Sequence, residues 1–272
     1  MDLNYFTNAW SNKAVDPVAS QAFWDIRAED FNKRAYSGEG KERLKKIMSL
    51  LVSKGMLTED AHVLDIGCGP GKYAVEFAKT AKSVTGIDIS PNMIKYAEEN
   101  AVAAGLSNVE FRVMDWEEID LQSYNWDKKF DLVFAAMSPA INSGAALEKM
   151  IKACRGACFL SRFVERKDSV KGQLDKLIRK NSRAGHEKDI YFIFNILWIM
   201  GYYPEIAYTD ASWEQEMTVE QAEEYYCSYF QMSQTLTPEQ RSIIRNHLEK
   251  ISENGRIKET VNAKIALMTW RV

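Results

Sequence analysis

A chain of 272 residues, 46% hydrophobic and 27% charged, has material for one sizeable α/β domain with additions or for two small ones. Thirty-five basic against 38 acidic residues leave a net charge of -3, which excludes a global electrostatic drive toward nucleic acid or anionic lipid. The four cysteines (Cys68, Cys154, Cys158 and Cys227) form no CxxC pair and no Cys/His spacing suited to zinc. No metal is therefore expected, and the thiols read as reduced, as in a cytoplasmic protein.

In chain order, "MDLNYFTNAW" lacks a basic stretch followed by an apolar one and is not a secretory signal. Residues 1–60 show helical periodicity without strand alternation. Phe23, Ile26 and Phe31 lie among charges, and Leu44, Ile47, Met48, Leu51 and Val52 repeat at helical spacing before Gly55. They are expected to form an N-terminal helical cover.

From His62 the pattern changes. "HVLDIG" predicts a strand, "GKYAVEFAKTA" a helix and "SVTGIDIS" a second strand. "SPNMIKYAEENAVAAG" predicts a helix, with Ser90 as N-cap, Pro91 in its first turn and Gly105 closing it. "VEFRVMD", "FDLVFAAM" and "ACFLSRF" supply the third to fifth strands, with a helix over "GAALEKMIKAC". Strands alternating with helices imply right-handed βαβ units and a parallel sheet.

After Phe163 the rhythm breaks. "VERKDSVKGQLDKLIRKNSRAGHEKD" reads as charged helix or loop, and Ile190 to Tyr203 as a buried apolar helix too short to cross a bilayer. "PEIAYTD" predicts a sixth strand and "EQEMTVEQAEEYY" an exposed helix face. Capping boxes at Thr218/Gln221 and Thr237/Gln240 start two helices, and "NAKIALMTWRV" ends the chain as a strand. The expected division is 1–60, 61–163 and 164–272, all within one structural domain, the last part forming a substrate lid.

The chemistry sits in "VLDIGCGPGKYAVEFA". A dinucleotide-binding GxGxxG needs glycine where Lys72 stands. A P-loop needs one more residue before Gly71-Lys72, and a hydroxyl where Tyr73 stands. What remains is Asp65, Gly67, Gly69 and Gly71 after the first strand, with Asp88 ending the second strand 21 residues beyond Gly67.

These residues resemble the class I S-adenosylmethionine-dependent methyltransferases. The resemblance covers roughly residues 61–162 and implies a Rossmann-like, doubly wound, mostly parallel seven-stranded sheet with helical additions at both ends. It implies S-adenosylmethionine as cofactor and S-adenosylhomocysteine as product. It also implies a glycine turn (Asp65, Gly67, Cys68, Gly69, Gly71) against the methionine moiety and Asp88 accepting from both ribose hydroxyls. Ile89, Met93, Asp115 and Trp116 would then lie around the adenine, and Ala135, Ala136 and Met137 at the methyl group. "AAMSPAI" departs from the Asn/Asp-Pro-Pro-aromatic pattern of enzymes that methylate amines of bases or glutamine. The family names no catalytic residue here. His62, His186 and His247 read as structural or solvent-exposed.

Among the many aromatics of the terminal additions, Trp24, Tyr36 and Trp213 are expected to wall a closed substrate pocket, the remainder packing helices onto the sheet. The basic run Arg179 to Lys188 reads as a solvated face. The expectation is a methyltransferase acting on a small-molecule acceptor, with no membrane or nucleic-acid partner. The alternatives are a protein or RNA methyltransferase, or a non-catalytic cofactor-binding module.

Overall fold

The strands are β1 (His62–Ile66), β2 (Ser83–Asp88), β3 (Val109–Val113), β4 (Phe130–Ala136), β5 (Cys154–Asp168), β6 (Glu205–Thr218) and β7 (Arg256–Arg271), the central ones built from continuous apolar runs buried on both faces. The computed structural model, which describes residues 2–10, 16–179 and 189–272, joins them in one sheet of order β3-β2-β1-β4-β5-β7-β6. The pairs among β1–β5 are parallel, and β7 runs antiparallel to both β5 and β6. This is the expected Rossmann-like, mostly parallel seven-stranded sheet.

The helices are α1 (Leu3–Ala9), α2 (Pro17–Ala35), α3 (Gly38–Ser53), α4 (Lys72–Ala78), α5 (Pro91–Ala103), α6 (Gly144–Ala153), α7 (Lys171–Ile178), α8 (Asp189–Ile199), α9 (Val219–Gln231) and α10 (Pro238–Ile251). Strand parity divides them into layers. Leu64, Ile66, Val133 and Ala135 pack with Phe6 and Trp10 of α1, Leu147 of α6 and Ile193 of α8. Their alternates Val63, Leu132 and Phe134 pack with Ile47 and Leu51 of α3 and Phe77 of α4. Phe134 stacks on Phe159 at 4.6 Å, and each such buried ring contributes about 1.5–3 kcal/mol. A third cluster joins Leu174 (α7), Tyr226 and Phe230 (α9), Ile244 and Leu248 (α10) and Ile257 (β7).

The predicted caps form: Ser90 Oγ accepts from the Met93 N–H at 3.1 Å, and both capping boxes are closed. All four cysteines are buried and free. Three expectations for the C-terminal half change. β5 does not stop at Phe163 but runs to Asp168, so "VERKD" is strand. β6 runs through "EQEMT" to Thr218, and the helix behind it buries Val219, Ala222 and Tyr226 rather than presenting only an exposed face. β7 begins at Arg256, before "NAKIALMTWRV". Cross-strand ion pairs explain the misreading. Asp210–Lys264 (3.0 Å), Glu214–Lys258 (3.0 Å) and Glu216–Arg256 (3.1 Å) give an edge strand a polar face that resembles a solvated helix in sequence.

The apolar helix α8 buries Ile190, Ile193, Ile196 and Leu197 but leaves Tyr191 and Trp198 exposed. No helix among the described residues is long and apolar enough to cross a membrane. Of the basic run, only Arg179 belongs to the described residues; positions 180–188, His186 among them, lie outside.

Candidate active site

Between β1 and α4 the chain reverses through three left-handed glycines, Gly67 (φ +68°), Gly69 (φ +55°) and Gly71 (φ +77°). The turn is tied to the next strand, since the Gly67 and Cys68 N–H groups both donate to Ile87 O at 2.8 and 2.9 Å. A Cβ on Gly67 would stand 2.0 Å from Ser138 Oγ and 2.8 Å from Ser138 Cβ, in the loop after β4. Gly71 serves packing instead: a Cβ there would meet Ala97 of α5 at 2.9 Å. Gly67→Ala combines left-handed strain with this collision. We expect it to lower stability by about 1–3 kcal/mol, read by thermal melting, and to abolish detectable cofactor binding in calorimetry.

Two carboxylates meet at this turn. Asp88 accepts from the Gly69 N–H at 2.9 Å through one oxygen and from the Ser90 N–H at 3.0 Å through the other, leaving each oxygen a further lone pair. Burial raises its pKa to about 6 against the opposing pull of those backbone donors. Asp65 is 1% exposed, and its Oδ2 has no hydrogen-bond partner. Burial, then the Asp88 charge, pushes its pKa up to about 8. An orphaned buried carboxylate oxygen beside a glycine turn suits a ligand that brings positive charge. Cys68, between them, is held as a thiol because burial and both carboxylates push its pKa up.

A cavity of about 780 Å³ opens from this turn, toward the upper part of the range of about 300–1,000 Å³ for ligand sites. Its base includes Asp65, Gly67, Cys68, Gly69, Asp88, Ile89, Met93, Asp115, Ala136 and Met137. Met137 sits in left-handed backbone (φ +57°), with its N–H donating to Ser161 O and Oγ, both at 3.1 Å, so the chain end of β4 is held in a strained turn at the cavity. Trp24 and Trp213 line the upper part.

Four expected residues land differently. Ala135 shares parity with Val133, is fully buried in the layer toward α6 and α8, and does not reach the cavity. Gly71 also lies outside the lining, packed on α5. Tyr36, the C-cap of α2, does not line the cavity; its hydroxyl is buried without a partner near Glu76, and burial raises its pKa. Trp116 does border the cavity, but its indole is 1% exposed, donates to Ala146 O at 3.2 Å and lies under the Lys149 ammonium, so it is locked to α6.

Helix α2 forms the roof. Asp25 Oδ1 accepts from Ser90 Oγ at 2.5 Å and from the Asn92 N–H at 3.2 Å, and Asn32 Oδ1 accepts from Asn100 Nδ2 at 2.8 Å, joining α2 to α5. On its other flank Phe23 packs on Tyr225 and Tyr229 of α9. Cations not evident from the sequence gather here: Arg27, Arg34, Arg43, Lys72 and Arg166 all line the cavity. Lys72 has its pKa lowered to about 7 by burial and by Arg43. The one available signal was Phe23, Arg27 and Phe31 at four-residue steps on a single helix face. Also missed was Arg162, 7% exposed, which donates to the carbonyls of Ser138 and Ile141 and holds the loop after β4. Burial lowers its pKa to about 10, with Asp189 opposing.

Comparison with known proteins agrees with this geometry. A family model described as a methyltransferase domain matches residues 57–226, more than half of the chain. The 23S rRNA (uracil(1939)-C(5))-methyltransferase RlmD of Shewanella sediminis is 39% identical over 90 residues, 32% of this chain and 20% of that protein. Human EEF1A lysine methyltransferase 2 is 32% identical over 133 residues, 47% of this chain and 55% of that protein. The chain thus spans from a fifth to just over half of the length of these relatives. Magnesium protoporphyrin IX methyltransferase from Synechocystis PCC 6803, solved with S-adenosylhomocysteine, has a TM-score of 0.58 at 16% identity, covering 94% of this chain and 99% of that one. The [4+2]-cyclase SpnF has a TM-score of 0.56 at 18% identity, covering 96% and 97%. These two likenesses establish the fold alone. Taken with the family match, the chain belongs to the class I S-adenosylmethionine-dependent methyltransferases.

Proposed function

We propose that this methyltransferase acts on a small molecule enclosed beneath α2 and the corner between β6 and α9. One observation carries the reading: the cavity continues from the glycine turn into a chamber walled by Trp24, Phe31, Phe163, Trp213 and Tyr225 from four separate elements. Such a chamber has the size and apolar lining of a ligand site and places its acceptor out of bulk water. The RNA and protein methyltransferases above share stretches covering less than half of this chain, and their acceptors are not carried over.

When bound, S-adenosylmethionine supplies an electrophilic methyl group on a positively charged sulfur. The chain's own residues do the rest by position. Asp88 offers its remaining lone pairs to the ribose hydroxyls, while Ile89, Met93 and Asp115 stand where the adenine would lie. Asp65 offers its orphaned oxygen to positive charge. Lys72, which opens α4, and Arg43, in the second turn of α3, are the cations that would meet the amino-acid carboxylate. Met137, held by Ser161, and Ser138, held by Arg162, shape the floor at the methyl group. Holding donor and acceptor in line contributes as much as about 7–11 kcal/mol without a general base.

The test is turnover with S-adenosylmethionine on two fractions of the same extract, divided at about 1 kDa, following S-adenosylhomocysteine release at low and high salt. We expect product with the small-molecule fraction and little response to salt. Activity confined to the macromolecular fraction and suppressed by salt sinks the small-molecule reading, since phosphate contacts release counterions.

A further inference from the structure

The roof of the chamber holds one guanidinium in unusual company. Arg27 lies 4.5 Å from the ring centroid of Tyr225, 4.7 Å from Phe31, 5.1 Å from Phe23 and 6.0 Å from Trp24. Its Nη1 donates to the Tyr225 hydroxyl oxygen at 3.0 Å, one bond from a group with five N–H donors.

The other two guanidiniums at this end are neutralised. Arg34 pairs with Asp30 at 2.5 Å and donates to Gln215 at 3.0 Å. Arg166 grips the buried Asp168 through Nε and Nη2, at 2.6 to 3.0 Å. The buried Glu259 is engaged by the Lys171 N–H and by Gln215 Nε2. Among the described residues no carboxylate forms an ion pair with Arg27; on α2, Glu29 is taken by Lys33 and Asp30 by Arg34. Burial, together with Arg34 and Arg166, lowers the Arg27 pKa, against Tyr225 and Asp30.

Arg27 thus faces a chamber of aromatic walls with no ion-pair partner of its own among the described residues. A guanidinium fork matches a carboxylate in shape and charge, and stacking on rings pre-sets its plane. The same rings without Arg27 would suit an organic cation; with its charge among them a cation is repelled.

We infer that the methyl acceptor is a monocarboxylate with a planar apolar body, its carboxylate held by the Arg27 guanidinium and the Tyr225 hydroxyl and its accepting atom directed toward Met137. This rests on the small-molecule reading above. The carboxylate takes donors from Arg27, and the Tyr225 O–H is free to donate as well. Phe31, Trp24 and Trp213 cover the body, so selectivity comes from the charged head and the flat shape together.

Full-length protein saturated with S-adenosylhomocysteine is titrated with 2-naphthoate, 2-naphthamide and 2-naphthylmethylamine, following tryptophan fluorescence and calorimetry. The expected result is saturable binding of the acid, at least about tenfold tighter than the amide, and none of the amine. Arg27→Gln is expected to bring the acid down to the level of the amide, and Arg27→Lys to an intermediate affinity, with S-adenosylhomocysteine affinity unchanged in both. Equal binding of acid and amide by the unsubstituted protein, no binding of the acid, or tighter binding of the amine overturns the proposal without needing any variant. So does an Arg27→Gln protein that keeps the acid preference, or one that loses S-adenosylhomocysteine instead. Failure of the broader small-molecule reading shows separately, as turnover only on macromolecules.

Discussion

Asp88→Ala is expected to weaken S-adenosylmethionine and S-adenosylhomocysteine binding by about 100- to 10,000-fold while the chain stays folded. The carboxylate ends β2 at the cavity, and its two oxygens already hold the Gly69 and Ser90 N–H groups. Two hydrogen bonds from ribose hydroxyls to a charged acceptor are worth about 1.5–3 kcal/mol each, and each 1.4 kcal/mol is tenfold in affinity. Calorimetry with S-adenosylhomocysteine and with free adenosine separates this role from mere support of the turn. Both ligands carry the ribose, so both should lose affinity by the same factor. If Asp88 acted only by shaping the Gly69 backbone, adenosine, which lacks the amino-acid portion, would be spared. Unchanged affinity for both ligands removes Asp88 from the cofactor site.

Asp65→Asn is expected to stabilise the ligand-free protein at alkaline pH while weakening cofactor binding. Its folded pKa, near 8, lies above the ordinary value of 3.8, so the folded state binds the proton more tightly than the unfolded chain does. The associated stability is complete below about pH 4 and is lost progressively as pH rises toward 8, by as much as about 1.4 kcal/mol per pH unit. Asparagine carries no such penalty. The variant should therefore melt near wild type at about pH 4 and on the order of 10 °C higher at pH 8, given about 2–4 °C per kcal/mol in a chain of this size. Cofactor binding should show the reverse. A cationic ligand favours the ionised carboxylate, so S-adenosylmethionine affinity of the unsubstituted protein should rise from pH 6 to 8, with about one proton released at pH 7. Asp65→Asn should abolish that release and cost roughly 100-fold in affinity at pH 8, as for removal of one partner of a buried charge pair. Calorimetry in buffers of different ionisation enthalpy counts the proton. Equal proton release by Asp65→Asn and the unsubstituted protein contradicts this role for Asp65.

Much of this fold was legible from local pattern. The strands β1, β2 and β4 and the first half of β5 announce themselves because they are buried on both faces, and Ser90, Thr218 and Thr237 mark helix starts through their own side chains. The glycine turn and Asp88 follow from spacing within one βαβ unit, where neighbours in sequence are also neighbours in space.

The remainder required the folded chain. "VERKD" and "EQEMT" are strands only because β7 lies between β5 and β6; Glu214 and Glu216 gain partners, Lys258 and Arg256, that stand some 40 residues further on. Ala135 and Ala136 are chemically alike, and only the parity of β4 in the assembled sheet sends one to the core and the other to the cavity.

The roof shows the same division. Three cations, Arg27, Arg34 and Arg166, come from α2 and β5; Asp30 neutralises Arg34, Asp168 neutralises Arg166, and Arg27 has no ion-pair partner among the described residues. Local pattern thus determined which elements form and where the cofactor turn lies, because backbone propensity and strand–turn–helix geometry are short-range properties. Which side chains share a cavity, and which charge is left without a counterion, depended on contacts between segments up to about 200 residues apart, and only the tertiary packing of α2 against α9 and the β6–β7 ribbon decided them.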